Sequence, residues 1–199
     1  MTTIKVISLH PDFVATITGY SVVRRAIAKQ KLAIELIDLH QYGLGTQHQV
    51  DDYQYGGGAG MVIMAPVIVK TIEAVKARTG GVVIFLTPQG KRLNQQMVVE
   101  LARQKTTFIL VCGHFEGVDE RVRSYCDAEL SVGDYVLSGG ELAAMVLINA
   151  LSRLLPGVIN AQSLRAESFV ARTLDHPVYT RPVNFRHQKV PPVLTSGDH

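Results

Sequence analysis

Four short segments of nearly continuous apolar and β-branched sequence recur along the first part of the chain, and helical patterns separate them. The segments are residues 4–9, 32–39, 81–86 and 108–112. Strands that are buried on both faces of a parallel sheet have this composition. Because strands alternate with helices, the sequence predicts an α/β fold with a mostly parallel sheet flanked by helices.

The intervening helices are expected at residues 21–30, at residues 66–78, and from an N-cap at Asn94 to about residue 104. Residues 141–155 are apolar almost all round in helical projection, so we expect that helix to be buried. Arg153 lies near its end. This arginine either pairs with an anionic or polar group or caps the helix C-terminus, where a cation is favoured.

The composition excludes several classes of protein. The 199 residues are 47% hydrophobic, with 20 basic and 17 acidic side chains, which is typical of a folded domain and not of a disordered chain. The longest apolar run, 142–148, is far shorter than the ~20 residues of a membrane span, and the N-terminus lacks a signal-peptide pattern. Cys112 and Cys126 form neither a metal-binding pattern nor a disulfide framework. We therefore expect a cytoplasmic protein with no membrane partner.

Charge is distributed unevenly along the chain. Residues 111–160 contain seven acidic and three basic side chains, whereas the remainder is net basic. A modestly basic surface around an acidic segment is compatible with a nucleic-acid partner and a cationic ligand. Many soluble proteins share this pattern, so the charge alone does not decide the function.

The familiar nucleotide and metal motifs do not occur in the sequence. The glycine-rich run 56–61 lacks the spacing of the dinucleotide fingerprint and does not follow a strand pattern. The run 90–92 lacks the earlier glycine and the hydroxyl residue of a P-loop. No HExxH or paired-cysteine spacing supports a zinc site. Nicotinamide enzymes and P-loop hydrolases are therefore disfavoured.

Three loops rich in glycine and turn residues follow the later strand patterns. They are residues 87–90, 112–122 and 131–141. Ligands of open α/β sheets bind beyond the carboxyl ends of the strands, so we expect these loops to meet around one pocket. The pocket would have apolar walls and backbone amides and carbonyls suited to a flat heteroaromatic ring. The apolar walls are expected from Leu86, Pro88, Tyr135 and Leu137.

Five motifs in this order resemble the bacterial tRNA (guanine-N1) methyltransferases, and the resemblance spans essentially the whole chain. They are YGGGAGM at 55–61, TPQG at 87–90, CGHFEGVDERV at 112–122, SVGDYVLSGGELAAM at 131–145 and LDHPVYTRP at 174–182. The resemblance implies S-adenosylmethionine as cofactor and methylation of guanine N1 at position 37 of tRNA, beside the anticodon. It also implies a homodimer with an active site shared between subunits, and a deep C-terminal trefoil knot of the SPOUT type.

The resemblance also assigns roles to individual residues. Arg153 corresponds to the arginine that stabilises guanine O6, and Glu167 to the general base that accepts the N1 proton. Contacts to the tRNA are expected from Tyr55, Gly58, Met61, Tyr179 and Arg181. The cofactor is expected to bind among Leu86, Pro88, Gly113, Glu116, Val132, Gly133, Asp134, Tyr135, Val136, Leu137, Gly139 and Gly140.

The chain departs from the family pattern at several points. His114 and Phe115 stand where the family usually has arginine and tyrosine. We expect residues 1–160 to form the knotted cofactor-binding domain and residues 161–199 a linker that faces the substrate, with the family's helical C-terminal tRNA-binding domain absent. The family is described as magnesium-dependent, but the sequence shows no dedicated magnesium site.

Three alternatives stay open at this point. One is a knotted methyltransferase that acts on a different RNA nucleotide. Another is a non-catalytic or tRNA-impaired module that binds cofactor or RNA and lacks the C-terminal domain. The last is a nucleotide site with no RNA partner. The intact Arg153 and Glu167 favour the guanine-N1 enzyme.

Overall fold

Five parallel strands form the central sheet of the protein. The computed structural model describes residues 1–104, 106–165, 168–169 and 176–196. Two compact units are distinguished, Met1–Leu164 and Arg165–His199. In chain order the strands are β1 (Thr2–Ser8), β2 (Leu32–Asp38), β3 (Asp51–Asp52), β4 (Val62–Ile63), β5 (Val82–Arg92), β6 (Thr107–Cys112), β7 (Ala128–Ser131), β8 (Asn184–Phe185) and β9 (Gln188–Lys189).

The central sheet has the order β2-β1-β6-β5-β7, and all of its neighbouring pairs are parallel. The prediction of a mostly parallel sheet is therefore confirmed. Strand β5 is longer than expected, because it continues beyond Leu86 to Arg92 beside β7, with a register shift between Leu86 and Lys91. Strands β3 and β4 form a separate antiparallel pair in the same unit, and β8 and β9 form a hairpin in the second unit.

The helices lie close to the positions that the sequence predicts. Asn94 caps α4 as expected, with its side-chain oxygen accepting a hydrogen bond from the Met97 N–H at 2.9 Å. In chain order the helices are α1 (Pro11–Ala15), α2 (Ser21–Ala28), α3 (Ala65–Thr79), α4 (Gln95–Arg103), α5 (Glu141–Leu154) and α6 (Ala161–Arg165).

Strand alternation divides the core between the two faces of the sheet. On β1, Ile4 and Val6 pack with one cluster, while Ile7 packs with the other. The first cluster includes the buried hydrophobic residues of α2 and α5, and the second includes those of α3. Side chains that alternate along a strand point to opposite faces, so helices on both sides explain why most strand positions are apolar.

Helix α5 corrects one expectation from the sequence. Leu147, Ile148 and Leu151 are buried, but Leu142 and Val146 are 39% and 49% exposed. The helix is therefore buried on one face of this chain, and its opposite face presents apolar side chains to solvent. In the described residues, no helix is long and apolar enough to cross a membrane.

Candidate functional site

A cavity of about 290 Å³ lies at the carboxyl ends of β6 and β7, beside the middle of β5. Its walls come from residues 85–88 of β5 and from the loops that follow β6 and β7. Residues 87–90, which the sequence predicts as a loop, are part of β5. Of the residues that the sequence predicts to bind the cofactor, those that line the cavity are Leu86, Pro88, Gly113, Glu116, Val132, Gly133, Tyr135, Val136, Leu137, Gly139 and Gly140. Asp134 does not line the cavity, and its carboxylate instead forms an ion pair with Arg92.

Two glycines allow the start of α5 to approach the end of β6. A Cβ atom on Gly140 would lie 2.7 Å from the Cα of Cys112, which is closer than real Cβ atoms come to backbone. The Gly140 N–H donates to the Gly113 carbonyl at 2.8 Å, and Gly139 forms an antiparallel bridge with His114. Close backbone packing therefore joins the loop after β6 to the loop before α5.

The loop after β7 is held by its own polar groups. The Tyr135 hydroxyl donates to the Val132 carbonyl at 3.2 Å, and the Ser131 hydroxyl donates to the Gly133 carbonyl at 3.1 Å. The Leu93 N–H donates to the Ser131 carbonyl at 2.8 Å, which ties this loop to the end of β5. These hydrogen bonds, all within this chain, hold this wall of the cavity in place.

The glycine-rich run 56–61 lies against the loop after β6. The Glu116 N–H donates to the Met61 carbonyl at 3.1 Å, and the Ile63 N–H donates to the Gly117 carbonyl at 3.0 Å. A Cβ atom on Gly60 would fall 2.4 Å from the Cγ of Glu116. The run therefore lies beside a residue that lines the cavity, while the Tyr55 side chain is fully exposed.

Charged residues at the end of this loop, and just beyond it, pair with one another. Arg121 bonds both carboxylate oxygens of Asp119, and this hydrogen bonding holds the pKa of Asp119 below its usual value. The guanidinium of Arg123 likewise lowers the pKa of Glu129, with an Nε–Oε1 distance of 2.9 Å. Both ion pairs lie within residues 119–129, so Asp119 and Arg121 of the DERV motif are engaged with each other.

Only Arg153 of the two predicted catalytic residues lies within the part of the chain that the structure describes. Arg153 does not line the cavity. It lines an adjacent groove of about 600 Å³, which shares Val132, Tyr135 and Leu137 with the cavity wall. Glu167 lies outside the described residues. Tyr179 and Arg181 are exposed in the second unit.

Sequence reasoning missed several residues at the site. Phe85, Thr87 and Ser138 also line the cavity, and their positions beside predicted residues were the available signal. It also missed Ser8, the polar last residue of β1, whose hydroxyl donates to the buried Glu141 carboxylate at 2.7 Å. Among the described residues, no group of three or more potential ligands could hold a metal ion, and we assign no residue to a metal.

Comparison with known proteins places this architecture in a family. The chain matches the family described as tRNA (Guanine-1)-methyltransferase TrmD over residues 2–199. A protein of Mycoplasma mycoides subsp. mycoides named tRNA (guanine-N(1)-)-methyltransferase is 51% identical over 194 residues, which cover 98% of this chain and 80% of that protein. A Listeria monocytogenes protein of the same name is 44% identical over 201 residues, covering 98% of this chain and 82% of the relative.

A solved structure agrees with the sequence relatives. The crystal structure of tRNA (m1G37) methyltransferase from Aquifex aeolicus superimposes with a TM-score of 0.83 at 38% sequence identity. The match covers 98% of this chain and 83% of that chain. Together with the cavity at the carboxyl ends of the strands, these matches show that the chain belongs to the tRNA (guanine-1)-methyltransferase family.

Proposed function

We propose that this chain methylates N1 of the guanine at position 37 of tRNA, with S-adenosylmethionine as methyl donor. The observation that carries the proposal is the convergence of β5 and the two glycine-bearing loops on one cavity beside the run 56–61. Membership in a methyltransferase family favours an enzyme over a non-catalytic binding module. The trefoil knot and the division into residues 1–160 and 161–199 belong to the same proposal.

The cavity suits the donor in size and chemistry. Its volume of about 290 Å³ is close to the lower limit of the range for small-molecule sites, roughly 300–1,000 Å³. Leu86, Leu137 and Tyr135 offer apolar contact to a heteroaromatic ring, while backbone near Gly113 and Gly140 offers hydrogen-bonding groups. When bound, S-adenosylmethionine supplies an activated methyl group attached to a good leaving group.

The chain's own residues are proposed to align guanine and to move one proton. Glu167 accepts the proton that leaves N1 as the new nitrogen–methyl bond forms, and such base catalysis contributes about 10²–10⁴-fold. Negative charge develops on O6 as the proton leaves, and the Arg153 guanidinium stabilises it. Alignment of the two reactants can contribute roughly 7–11 kcal/mol in addition.

Contacts to tRNA are proposed for the glycine-rich run and the second unit. Tyr53 and Tyr55 are exposed beside that run, and exposed aromatic rings are suited to stacking on unpaired RNA bases. Gly58 and Met61 would allow the RNA backbone to approach the cavity edge. Tyr179 and Arg181 are proposed to hold neighbouring nucleotides. Because the proposed substrate is tRNA, we infer a cytoplasmic location.

The exposed face of α5 supports a homodimer. Leu142 and Val146 on this face line the same apolar groove as Arg153. A second copy of the chain would cover the groove and bring its own residues toward Arg153, giving an active site shared between subunits. Val146→Glu should convert the dimer to a monomer in analytical ultracentrifugation and should reduce methyl transfer. A monomeric wild-type protein with full activity would contradict this arrangement.

Methyl transfer to defined transcripts tests the proposal. Labelled methyl from S-adenosylmethionine should appear on tRNA that carries guanine at position 37 and not on a transcript with adenine there. Glu167→Gln should bind the donor yet lose transfer, whereas Glu100→Gln, which changes an exposed carboxylate on α4, should retain it. Donor binding without label on either transcript would support the non-catalytic module. Wild-type turnover of Glu167→Gln would remove Glu167 from the mechanism.

A further inference from the structure

We propose that Glu141 and His114 form a positioning pair that joins the two loops of the cofactor cavity, and that protonation of this pair strengthens cofactor binding. The inference rests on the proposed function, because that proposal assigns the cavity to the cofactor. The pair itself rests on contacts within the described residues.

Glu141 is a buried carboxylate at the first position of α5. The residue is 3% exposed, and its Oε1 accepts a hydrogen bond from the Ser8 hydroxyl at 2.7 Å. The Ser8 oxygen in turn accepts the His10 N–H at 2.8 Å. A negative charge is favoured at a helix N-terminus, but a buried carboxylate also requires hydrogen bonds or a positive partner.

His114 supplies the group that faces the second carboxylate oxygen. Its Nδ1 lies 3.7 Å from the Glu141 Oε2, which is longer than a hydrogen bond but within reach of an ion pair. This nitrogen is buried and has no hydrogen-bond partner among the described residues. A proton on Nδ1 would let a small approach of the ring complete a charge-assisted bond to Glu141.

Gly139 makes the approach of the two side chains possible. A Cβ atom on Gly139 would lie 2.3 Å from the Glu141 Oε2 and 2.4 Å from the His114 Nδ1. The two side chains therefore meet across the Cα of a glycine that lines the cavity and forms a backbone bridge with His114. Tightening the pair draws the loop after β6 toward the loop before α5.

Other titratable groups also face the pair. The His10 ring on the β1–α1 turn contacts the His114 ring edge-on at 4.9 Å. Burial and the nearby charge of Glu141 raise the pKa of the Cys112 thiol on β6, which therefore stays protonated. The remaining carboxylates are Glu116 in the cofactor cavity and Asp12 and Asp38 in a second cavity of about 420 Å³, which His114 and Glu141 also line. Within this set, imidazole is the group whose ordinary pKa lies between pH 5 and 8.

Binding of S-adenosylhomocysteine as a probe, measured by calorimetry between pH 5.5 and 8.5, tests the pair. Wild-type affinity for the probe should fall roughly tenfold as pH rises. A coupling of this size between protonation and probe binding is typical of the coupling between two binding sites. His114→Arg keeps its charge across this range and should bind with little pH dependence. The matched control His187→Gln, in the exposed hairpin of the second unit, should reproduce the wild-type profile.

Glu141→Gln should bind the probe weakly and with no pH dependence. If Glu141→Gln does not fold, Ser8→Ala takes its place and should show a smaller loss of affinity and of pH dependence. A His114→Arg profile that matches the wild type, or wild-type affinity of a folded Glu141→Gln at every pH, would overturn the inference. NMR of the His114 ring gives a readout without cofactor, because its ring resonances should shift in Glu141→Gln if the two side chains are in contact. Failure of the wild type to bind the probe at any pH would instead contradict the proposed function, while the NMR comparison still tests the pair.

Discussion

Gly140→Ala isolates the contribution of close backbone packing to the cavity. Gly140 has φ −74° and ψ −9°, a conformation that alanine adopts freely, so the substitution introduces a steric change without backbone strain. The new Cβ would lie 2.7 Å from the Cys112 Cα and 3.1 Å from its Cβ. Non-bonded carbon atoms are best separated by about 3.5–4.0 Å, so the two segments must move apart by roughly 0.8 Å or more.

This displacement has a cost that can be measured. Overpacking of a well-packed site typically costs about 1–3 kcal/mol. The hydrogen bond from the Gly140 N–H to the Gly113 carbonyl at 2.8 Å would weaken as well. In a protein of this size each kcal/mol lowers the melting temperature by roughly 2–4 °C. We therefore expect Gly140→Ala to melt about 2–12 °C below the wild type in calorimetry and to bind S-adenosylmethionine more weakly.

Gly19→Ala provides the matched control. A Cβ atom on Gly19 would have no heavy atom within 4 Å among its described surroundings. Replacing glycine by alanine at a compatible position reduces the entropy of the unfolded chain, so this variant should be unchanged or more stable by about 0.4–1 kcal/mol. If Gly140→Ala and Gly19→Ala melted at the same temperature and bound the donor equally well, the packing argument for the cavity would be refuted.

Three further substitutions test the fold around the site. Asn94→Ala removes the cap of α4 and should cost about 0.5–2 kcal/mol in denaturant unfolding; an unchanged midpoint would contradict the cap. Leu147→Ala on the buried face of α5 should cost about 2–5 kcal/mol in the same assay, and a cost below 1 kcal/mol would contradict its place in the core. Hydrogen bonds from the Val83 N–H and then from Lys76 lower the pKa of Asp127. The stabilisation that the Asp127 carboxylate contributes is therefore present above its ordinary pKa and is lost as pH falls through the lowered value. Asp127→Asn should therefore lower the melting temperature at pH 7 and flatten its decline below about pH 4. Parallel melting curves for the two proteins against pH would disprove that linkage.

The sequence predicts the inner strands well because their burial on both faces leaves a direct compositional trace. Residues 108–112 of β6 are apolar at consecutive positions, β1 is apolar at Ile4, Val6 and Ile7, and helices cover both sides of the sheet. The last residues of β5 and the whole of β7 lack this continuous apolar composition. Arg92 pairs in register with Ser131, and Lys91 with Leu130. Polar residues of this kind become strands through pairing with each other, which a local pattern does not reveal.

Helix α5 shows a different limit of sequence reasoning. Its apolar content predicts burial, but it does not specify whether the same chain or a second copy covers each face. Leu142 and Val146 differ from Leu147 and Ile148 in exposure and not in chemical type. The position of α5 against the sheet decides which side is covered. The same lack of tertiary information hid the Glu141–His114 contact, since the two residues lie on separate segments of the chain.

The charge distribution around the cavity distinguishes the residues suited to binding the donor from those proposed to take part in the reaction. Asp119 and Glu129 near its loops are engaged by arginines of the same segment, and Asp134 by Arg92. The cavity wall instead consists largely of glycine backbone and apolar side chains, which suit recognition of a ring more than proton transfer. The proposed function accordingly assigns proton transfer to Glu167 and stabilisation of the charge on O6 to Arg153. Changes in the wall should therefore raise the donor Kd, whereas changes at Arg153 or Glu167 should lower the single-turnover rate with bound donor.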